Sequence, residues 1–366
     1  MSGPLQSLVD VALRDPLAMA RARAAEGTRV IGRIGDDVPA ELVYAAGAIP
    51  VALTGNPGGP TAHADRYLEA GFLPSIRALA EQWLNGELDF IESVIFSRAD
   101  DSSQRLYYYL CELQRMGIAR GPQPLLYDLA KIPRPSSLRH TLAATARLAA
   151  ALRSDPALLP AAISQRNRRR QLFAALQRRR DSSASPPGAL VARILRAADA
   201  CESAAFDAAL EAWLKEPMAP ATGPRLLLLG STPPDERLHA AVEAGGGQVV
   251  AEIGDQALTR LGPPIEAGTD ALAALARRHH ELDFGPRAVR DYPAMLRTRI
   301  AACRADGVVV WLIDQDESLA WDVPAMKRAL AEAHVPALYL TRRQWDAGDG
   351  AGEEIARFTM QRAAAS

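Results

Sequence analysis

Short, nearly continuous apolar runs recur along the chain, each separated from the next by apolar residues at helical spacing. The first series begins with RVIGRI at Arg29–Ile34. A helical stretch from about Pro39 to Ala46 follows, then IPVAL at Ile49–Leu53 and a helix from about Leu73 to Trp83. A strand around Val94 (Phe90–Phe96), a helix opening at Gln104 and PLLYDL at Pro124–Leu129 complete it. The second series runs RLLLL (Arg225–Leu229), a helix near Pro234–Ala244 and QVVAEI (Gln248–Ile253). Helices near Asp270–His280 and Val289–Arg304, the strand GVVVWLI (Gly307–Ile313), a helix near Val323–Ala333 and PALYLT (Pro336–Thr341) finish it. A strand buried on both faces reads as a continuous apolar run rather than an alternating one, and helices between such strands form parallel crossovers. The pattern predicts an α/β protein with two doubly wound, flavodoxin- or Rossmann-like parallel-sheet domains.

Between the two series, residues from Ser136 to about Leu214 are almost wholly helical in pattern and rich in Ala, Leu and Arg, with a break DSSASPPG at Asp181–Gly188. PMAPATGP, Pro217–Pro224, reads as a linker. The expected organisation is an N-terminal helical segment (1–28), a first α/β domain (29–135), a helical connector (136–222) and a second α/β domain (223–366). The connector carries a basic cluster, Arg166 and Arg168–Arg170 with Arg178–Arg180. Its helical spacing and lack of interleaved aromatics predict a solvated helix face rather than a nucleic-acid surface.

Composition adds little that conflicts. Hydrophobic residues make up 48% and the formal net charge is -1, so no acidic polymer or membrane surface is implied as a partner. No apolar run reaches the roughly 18 residues of a membrane span, and the N-terminus reads as an amphipathic helix rather than a signal peptide. The expected location is the cytoplasm. The three cysteines, Cys111, Cys201 and Cys303, are widely separated and lie in helical sequence. They read as structural thiols.

In an open parallel sheet, ligands bind beyond the strand carboxyl ends. The strands deliver Asp36 and Asp37, then Ser97-Arg98-Ala99-Asp100-Asp101-Ser102-Ser103, then Gly230-Ser231-Thr232, Gly254-Asp255, and Asp314-Gln315-Asp316-Glu317. Asp and Ser at such junctions are helix N-caps first of all, and Asp37, Ser102 or Ser103, and Thr232 fit that role. The carboxylates exceed what capping needs. Asp36, Asp100 and Asp101 are therefore candidate acid/base residues, and Asp314 and Asp316 are candidate ligands for a hard cation. There is no GxxxxGK[ST], no GxSxG and no HExxH. His279 and His280, adjacent on a helix, diverge by about 100° and would not ligate one metal together.

The blocks themselves resemble a known family. Ile31-Gly32 with PAELVYAAGAIPVAL (Pro39–Leu53), Phe72–Leu110, AISQRNRRRQL (Ala162–Leu172), RLLLLGS (Arg225–Ser231) and Asp306–Lys327 follow, in order, those of the 2-hydroxyacyl-CoA dehydratase D-component and its benzoyl-CoA reductase relatives. The resemblance covers nearly the whole chain. It implies two α/β domains that clamp an iron–sulfur cluster held by three cysteines. These cysteines fall in a C-P-x-x-R block, a C-D block after the central strand and a K-F-C-D-P block near the end. The matching positions here are Leu73, Ala99 and Asp316. Leucine and alanine offer iron no donor, and one aspartate does not hold a four-iron cluster. The resemblance thus implies a lost cluster, no cofactor in its place, and a retained scaffold of Asp100, Gln104 and Arg105.

Three functions compete from here. The first is a cluster-free subunit that binds an acyl-CoA thioester or pairs with a cluster-bearing paralogue in a heterodimer, with Arg105, Gln104, Gly230 and Ser231 as candidate substrate-binding residues. The second is a repurposed lyase-like enzyme with a carboxylate-lined, metal-holding site in the old cleft. The third is a non-catalytic small-molecule binding protein.

Overall fold

A computed structural model of the chain describes residues 3–56, 58–98, 101–201, 203–254, 257–282 and 291–365, without the side chains of Glu317 and Ser318. Ala99, Asp100 and Asp255 lie outside the described residues.

The first series folds as β1 (Arg29–Ile34), α3 (Ala40–Ala45), β2 (Ala48–Ala52), α4 (Pro74–Leu84), β3 (Ser93–Ser97), α5 (Asp101–Arg115) and β4 (Gln123–Tyr127). Two helices precede it, α1 (Pro4–Arg14) and α2 (Ala18–Ala25), where the sequence pattern suggests one. The helical connector is α6 (Pro135–Leu152), α7 (Leu159–Asp181), α8 (Gly188–Ala200) and α9 (Ala204–Leu214). The second series is β5 (Arg225–Gly230), α10 (Arg237–Ala244), β6 (Gln248–Ile253), α11 (Ala271–Glu281), α12 (Tyr292–Cys303) and β7 (Gly307–Ile313). It ends with α13 (Glu317–Ala320), α14 (Val323–Glu332), β8 (Ala337–Arg343) and α15 (Ala351–Ala363).

Both sheets are four-stranded and parallel, with the same order: β2-β1-β3-β4 and β6-β5-β7-β8. The fold is α/β and doubly wound, as the alternating pattern predicts. Pro50 and Pro124 lie on β2 and β4, the edge strands of the first sheet, where a missing amide donor is tolerated. β1 and β5, the strands at which the order reverses, both end next to glycines with positive φ. Gly35 has φ 94°, and a Cβ there would meet Ser97 Cβ at 2.7 Å; Gly230 has φ 129° and lies against the Trp311 carbonyl. Only glycine fits such a turn without strain.

The halves are laced together by segments that cross between them. α11 follows β6 in the chain but packs on α6 and α7 of the connector, where Leu275 and Ile265 join the core cluster of Ile31, Leu42 and Ile95. The Asn167 side chain donates to the Ile265 carbonyl at 2.8 Å and accepts from the Ile265 amide at 2.8 Å. His280 Nδ1 donates to the Ala130 carbonyl at 2.6 Å.

The basic cluster differs from its sequence reading as a solvated face. Arg166, Arg169, Arg170 and Arg180 are all buried along α7. Arg170 pairs with Glu41 of α3 at 2.5 Å, and Arg169 pairs with Asp207 of α9 at 2.7 Å. Arg180 grips Glu252 of β6 through both terminal nitrogens, at 2.5 and 2.8 Å, and donates to the Val249 carbonyl at 2.9 Å. The physical reason is that carboxylates far away in sequence meet these guanidinium groups inside the fold, so a charged helix face becomes an interior one. Burial pushes the Glu252 carboxyl up, but Arg180 and His239 outweigh it and hold it down at about 2. At Glu41, burial is likewise outweighed by Arg170, Arg166 and His279.

Breaking such a pair leaves a buried charge without its partner, at a cost of about 3–5 kcal/mol. Arg180→Met is therefore expected to lower unfolding stability in urea by that amount. Lys215→Met, which removes an exposed, solvent-screened pair to Glu211, should cost far less than Arg180→Met. Equal losses for the two variants would show that the α7 arginines carry no special structural weight.

His279 sets an acid limit. Burial drives its imidazole down to about 3, against the pull of Glu41. The folded protein therefore keeps this ring neutral while the unfolded chain protonates it below its ordinary value near 6.5. Stability from this site is complete above about pH 6.5 and falls as pH drops toward 3. His279→Phe keeps a ring edge-on to Tyr127 and is expected to flatten the loss between pH 6.5 and 4.5 by up to about 1.4 kcal/mol per pH unit. Urea titrations across that range in which the variant and the parent have the same slope would remove His279 as the cause.

Candidate site at the carboxyl edges of the sheets

The loop after β1 does not present Asp36 as a free carboxylate. Arg33, a buried residue of β1, donates to Asp36 Oδ1 at 2.7 Å, and Arg260 Nε lies 3.7 Å from Asp36 Oδ2. Arg260 also pairs with Asp199 of α8 at 2.7 Å, and Arg33 lies 3.6 Å from the same Asp199. Two guanidinium groups and two carboxylates thus join β1, α8 and the short 3-10 helix Leu258–Leu261 that follows β6. Asp36 is a fixed counter-ion at the junction of the two halves.

Asp37 is turned inward, 1% exposed and 3.8 Å from Lys131 Nζ. It does not cap α3, whose N-cap is Pro39. Ser102 and Ser103 lie inside the first turn of α5, which begins at Asp101, and not at its cap. Ser102 Oγ accepts from the Leu73 amide at 3.5 Å, which brings the start of α5 to the start of α4. Thr232 lies five positions before the first residue of α10, whose N-cap is Glu236. The capping reading fails at these positions because each helix starts a few residues from where the polar residue suggests.

Arg105 and Gln104 lie on α5. Arg105 forms an ion pair with Glu69, lies 3.5 Å from Asp101 and stacks on the Phe72 ring at 4.2 Å. Tyr109 donates to the same Glu69 at 2.7 Å. Arg105 is therefore tied to the 3-10 and loop segment leading into α4. Asp101 is 83% exposed at its side chain.

At the second sheet, the Ser231 amide donates to the Trp311 carbonyl at 2.8 Å. Its hydroxyl donates to Asp316 Oδ2 at 2.7 Å and accepts from the Ile313 amide at 3.2 Å. Asp314 instead faces Arg342, 3.2 Å away. Asp314 and Asp316 thus answer different partners. Among the described residues, no three His, Cys, Asp or Glu side chains are grouped to hold a metal ion. Gly230, Ser231 and Thr232 line a cavity of about 20 Å³ with His239 and Glu252, enough for a water-sized guest. His239 Nε2 lies 3.0 Å from Glu252 Oε1.

The positions that match the family's cluster ligands can be tested against an iron–sulfur cluster. Leu73 is the N-cap of α4, packs against the core around Phe72, Ile76 and Phe96 and offers only carbon. Asp316 accepts from Ser231. Cys201 is buried beside Met19 and Ser203, and Cys303 ends α12 next to Arg225, at the opposite edge of the sheet from Ser231. Cys111 is partly buried in the middle of α5. Leu73 offers iron no donor, and the three cysteines stand on separate elements, α5, the end of α8 and α12.

A larger opening than the cavity at Gly230 lies at the first sheet. A pocket of about 550 Å³ is lined by Arg98 after β3, Asp128–Ile132 after β4, and Arg134, Ser136, Ser137 and His140 around the start of α6. Sequence reasoning named Arg98 among the strand-end residues but passed over KIPRPSS, Lys131–Ser137, and the rest of the lining. The signal was there: two cations and two prolines directly between a strand end and a helix start.

No curated protein matches the chain. The family model of the 2-hydroxyglutaryl-CoA dehydratase D-component matches residues 37–357, from the end of the β1 loop into α15. With its doubly wound halves and ordered blocks, the chain belongs to the 2-hydroxyglutaryl-CoA dehydratase D-component family.

Proposed function

We propose that the chain is a non-redox subunit of a 2-hydroxyacyl-CoA dehydratase-like assembly in the cytoplasm, binding an acyl-CoA thioester and pairing with a cluster-bearing paralogue as a heterodimer. One observation carries this reading: the family fold is kept while Leu73 stands as an apolar N-cap where the family's thiolate would stand. A chain that carries buried pairs such as Arg170–Glu41 yet offers no thiolate at Leu73 or Asp316 is suited to holding a partner or substrate and not to relaying an electron. Without a relay, it does not carry out radical dehydration or acyl reduction by itself.

The carboxylate-lined enzyme has no comparable support. Asp36 is engaged by Arg33 and Arg260, Asp314 by Arg342 and Asp316 by Ser231. An acid/base pair needs groups that share a reacting atom, and these carboxylates are held by separate partners.

Protein purified without oxygen is expected to contain almost no iron or acid-labile sulfide, and to co-purify in equal amount with a co-expressed cluster-bearing paralogue. Stoichiometric iron and sulfide in the isolated chain would overturn the non-redox reading. A cluster-bearing paralogue that never associates with it would overturn the partner reading.

A further inference from the structure

We propose that the pocket beyond β3 and β4 binds the phosphate-bearing end of a small molecule, with Arg134 and the start of α6 as its anion-holding groups. The proposal deepens the acyl-CoA reading and rests on it for the identity of the ligand. The anion site itself stands on the pocket.

The first ground is size and place. About 550 Å³ falls within the range of small-molecule sites, and the pocket opens at the carboxyl edge of a parallel sheet. A lone inorganic anion does not need that space. Leu129, Ala130 and Ile132 line it as well, and Ile132 is 51% exposed. These give an apolar wall for an organic group attached to the anion.

The second ground is the charge balance. Arg98 is answered by Asp128 at 2.8 Å, and Lys131 lies 3.8 Å from Asp37 and donates to the Leu282 carbonyl at 3.3 Å. His140 Nε2 donates to the Asp128 carbonyl at 2.8 Å, 3.4 Å from its carboxylate. Arg134 is different. Its Nε donates to Ser137 Oγ at 3.3 Å, and no carboxylate among the described residues pairs with it. Arg98 Nε is also buried without a hydrogen-bond partner among the described residues. The pocket thus keeps positive charge after its internal pairs are counted.

The third ground is α6. This 18-residue helix has no side-chain bond at its N-cap, which is Arg134 itself, and Pro135 opens it. Pro135 has no amide hydrogen, and the Ser137 and Leu138 amides donate to the Arg134 carbonyl at 3.1 and 3.2 Å, so the Ser136 amide and the positive end of the helix dipole are what this end offers an anion. Ser136 adds an exposed hydroxyl at the same end. A guanidinium fork, a helix start and a hydroxyl converging on one pocket match a phosphate's three oxygens and its charge better than a single carboxylate's two.

The test is calorimetric titration of the full chain with coenzyme A, inorganic pyrophosphate and pantetheine, the last lacking the phosphates. Coenzyme A and pyrophosphate are expected to bind, more weakly as salt rises, and pantetheine to bind at least tenfold more weakly than coenzyme A. Arg134→Glu, at an exposed position, should weaken both phosphate ligands at least tenfold and leave the thermal midpoint unchanged. Ser136→Asp should do the same through the helix start. No pyrophosphate binding, or equal binding by both variants and the parent, overturns the proposal. Coenzyme A binding that ignores both substitutions would leave the acyl-CoA reading standing and remove this pocket from it. Pyrophosphate binding that the variants abolish, with no binding of coenzyme A, would support the pocket and remove the acyl-CoA reading.

Discussion

Arg170 and Arg180 stand ten positions apart on α7, about 15 Å along the helix axis, and each reaches a carboxylate in a different half of the molecule. Arg170 pairs with Glu41 at the entry to the first sheet, and Arg180 pairs with Glu252 on an edge strand of the second. Next to Arg170, Arg169 holds Asp207 of α9. The helix is the shared wall of both halves, and its buried guanidinium groups fix its rotation and its register to each. A guanidinium with five donors in a rigid fork is suited to this, because it bridges a carboxylate and backbone carbonyls at once. Arg169 does so with Asp207 and the Ala198 carbonyl, and Arg180 with Glu252 and the Val249 carbonyl. Apolar packing alone would hold the helix in place less specifically. Two sheets of equal strand order can slide against a smooth helix more easily than against paired charges.

These arginines also show why parts of the structure were legible in the sequence and parts were not. The strands were readable because six of the eight, all but the edge strands β4 and β8, are buried along most of their length and so must be largely apolar, and that requirement is local. The roles of Arg166, Arg169, Arg170 and Arg180 were not. A guanidinium is interior only when its carboxylate arrives, and Glu41 lies 129 positions from Arg170 while Glu252 lies 72 from Arg180. The same limit applies to Asp36. Its place at a strand end suggested chemistry, but Arg33 at the end of β1 and Arg260 after β6 close around it. Family and fold depend on patterns along the chain. The state of each polar residue depends on partners that the pattern does not name.

The two sheets have the same order but different edges. At the second, Ser231 spends its amide on Trp311 and its hydroxyl on Asp316, which draws the ends of β5 and β7 together, while a water-sized cavity lies on the β6 side of Gly230. At the first, Gly35 approaches Ser97 with no room for a side chain, so the ends of β1 and β3 are also close. The space opens one strand farther on, beyond β3 and β4, because Pro133 and Pro135 stop α6 from beginning until the chain has turned away from the sheet. α11 then crosses over from the second half and closes the back of this region through the His280 bond to Ala130 and the Lys131 bond to the Leu282 carbonyl.

That crossing ties the shape of the pocket to the packing between the halves. Ala130 and Lys131 line the pocket and also receive α11, so any rotation of the second half against α7 would move one wall of the pocket. The buried arginines of α7 oppose such a rotation. A chain in this family with no thiolate at Leu73 therefore still has reason to keep every charged pair along α7. Those pairs set the spacing of the two halves and, through α11, hold one wall of the pocket beyond β3 and β4.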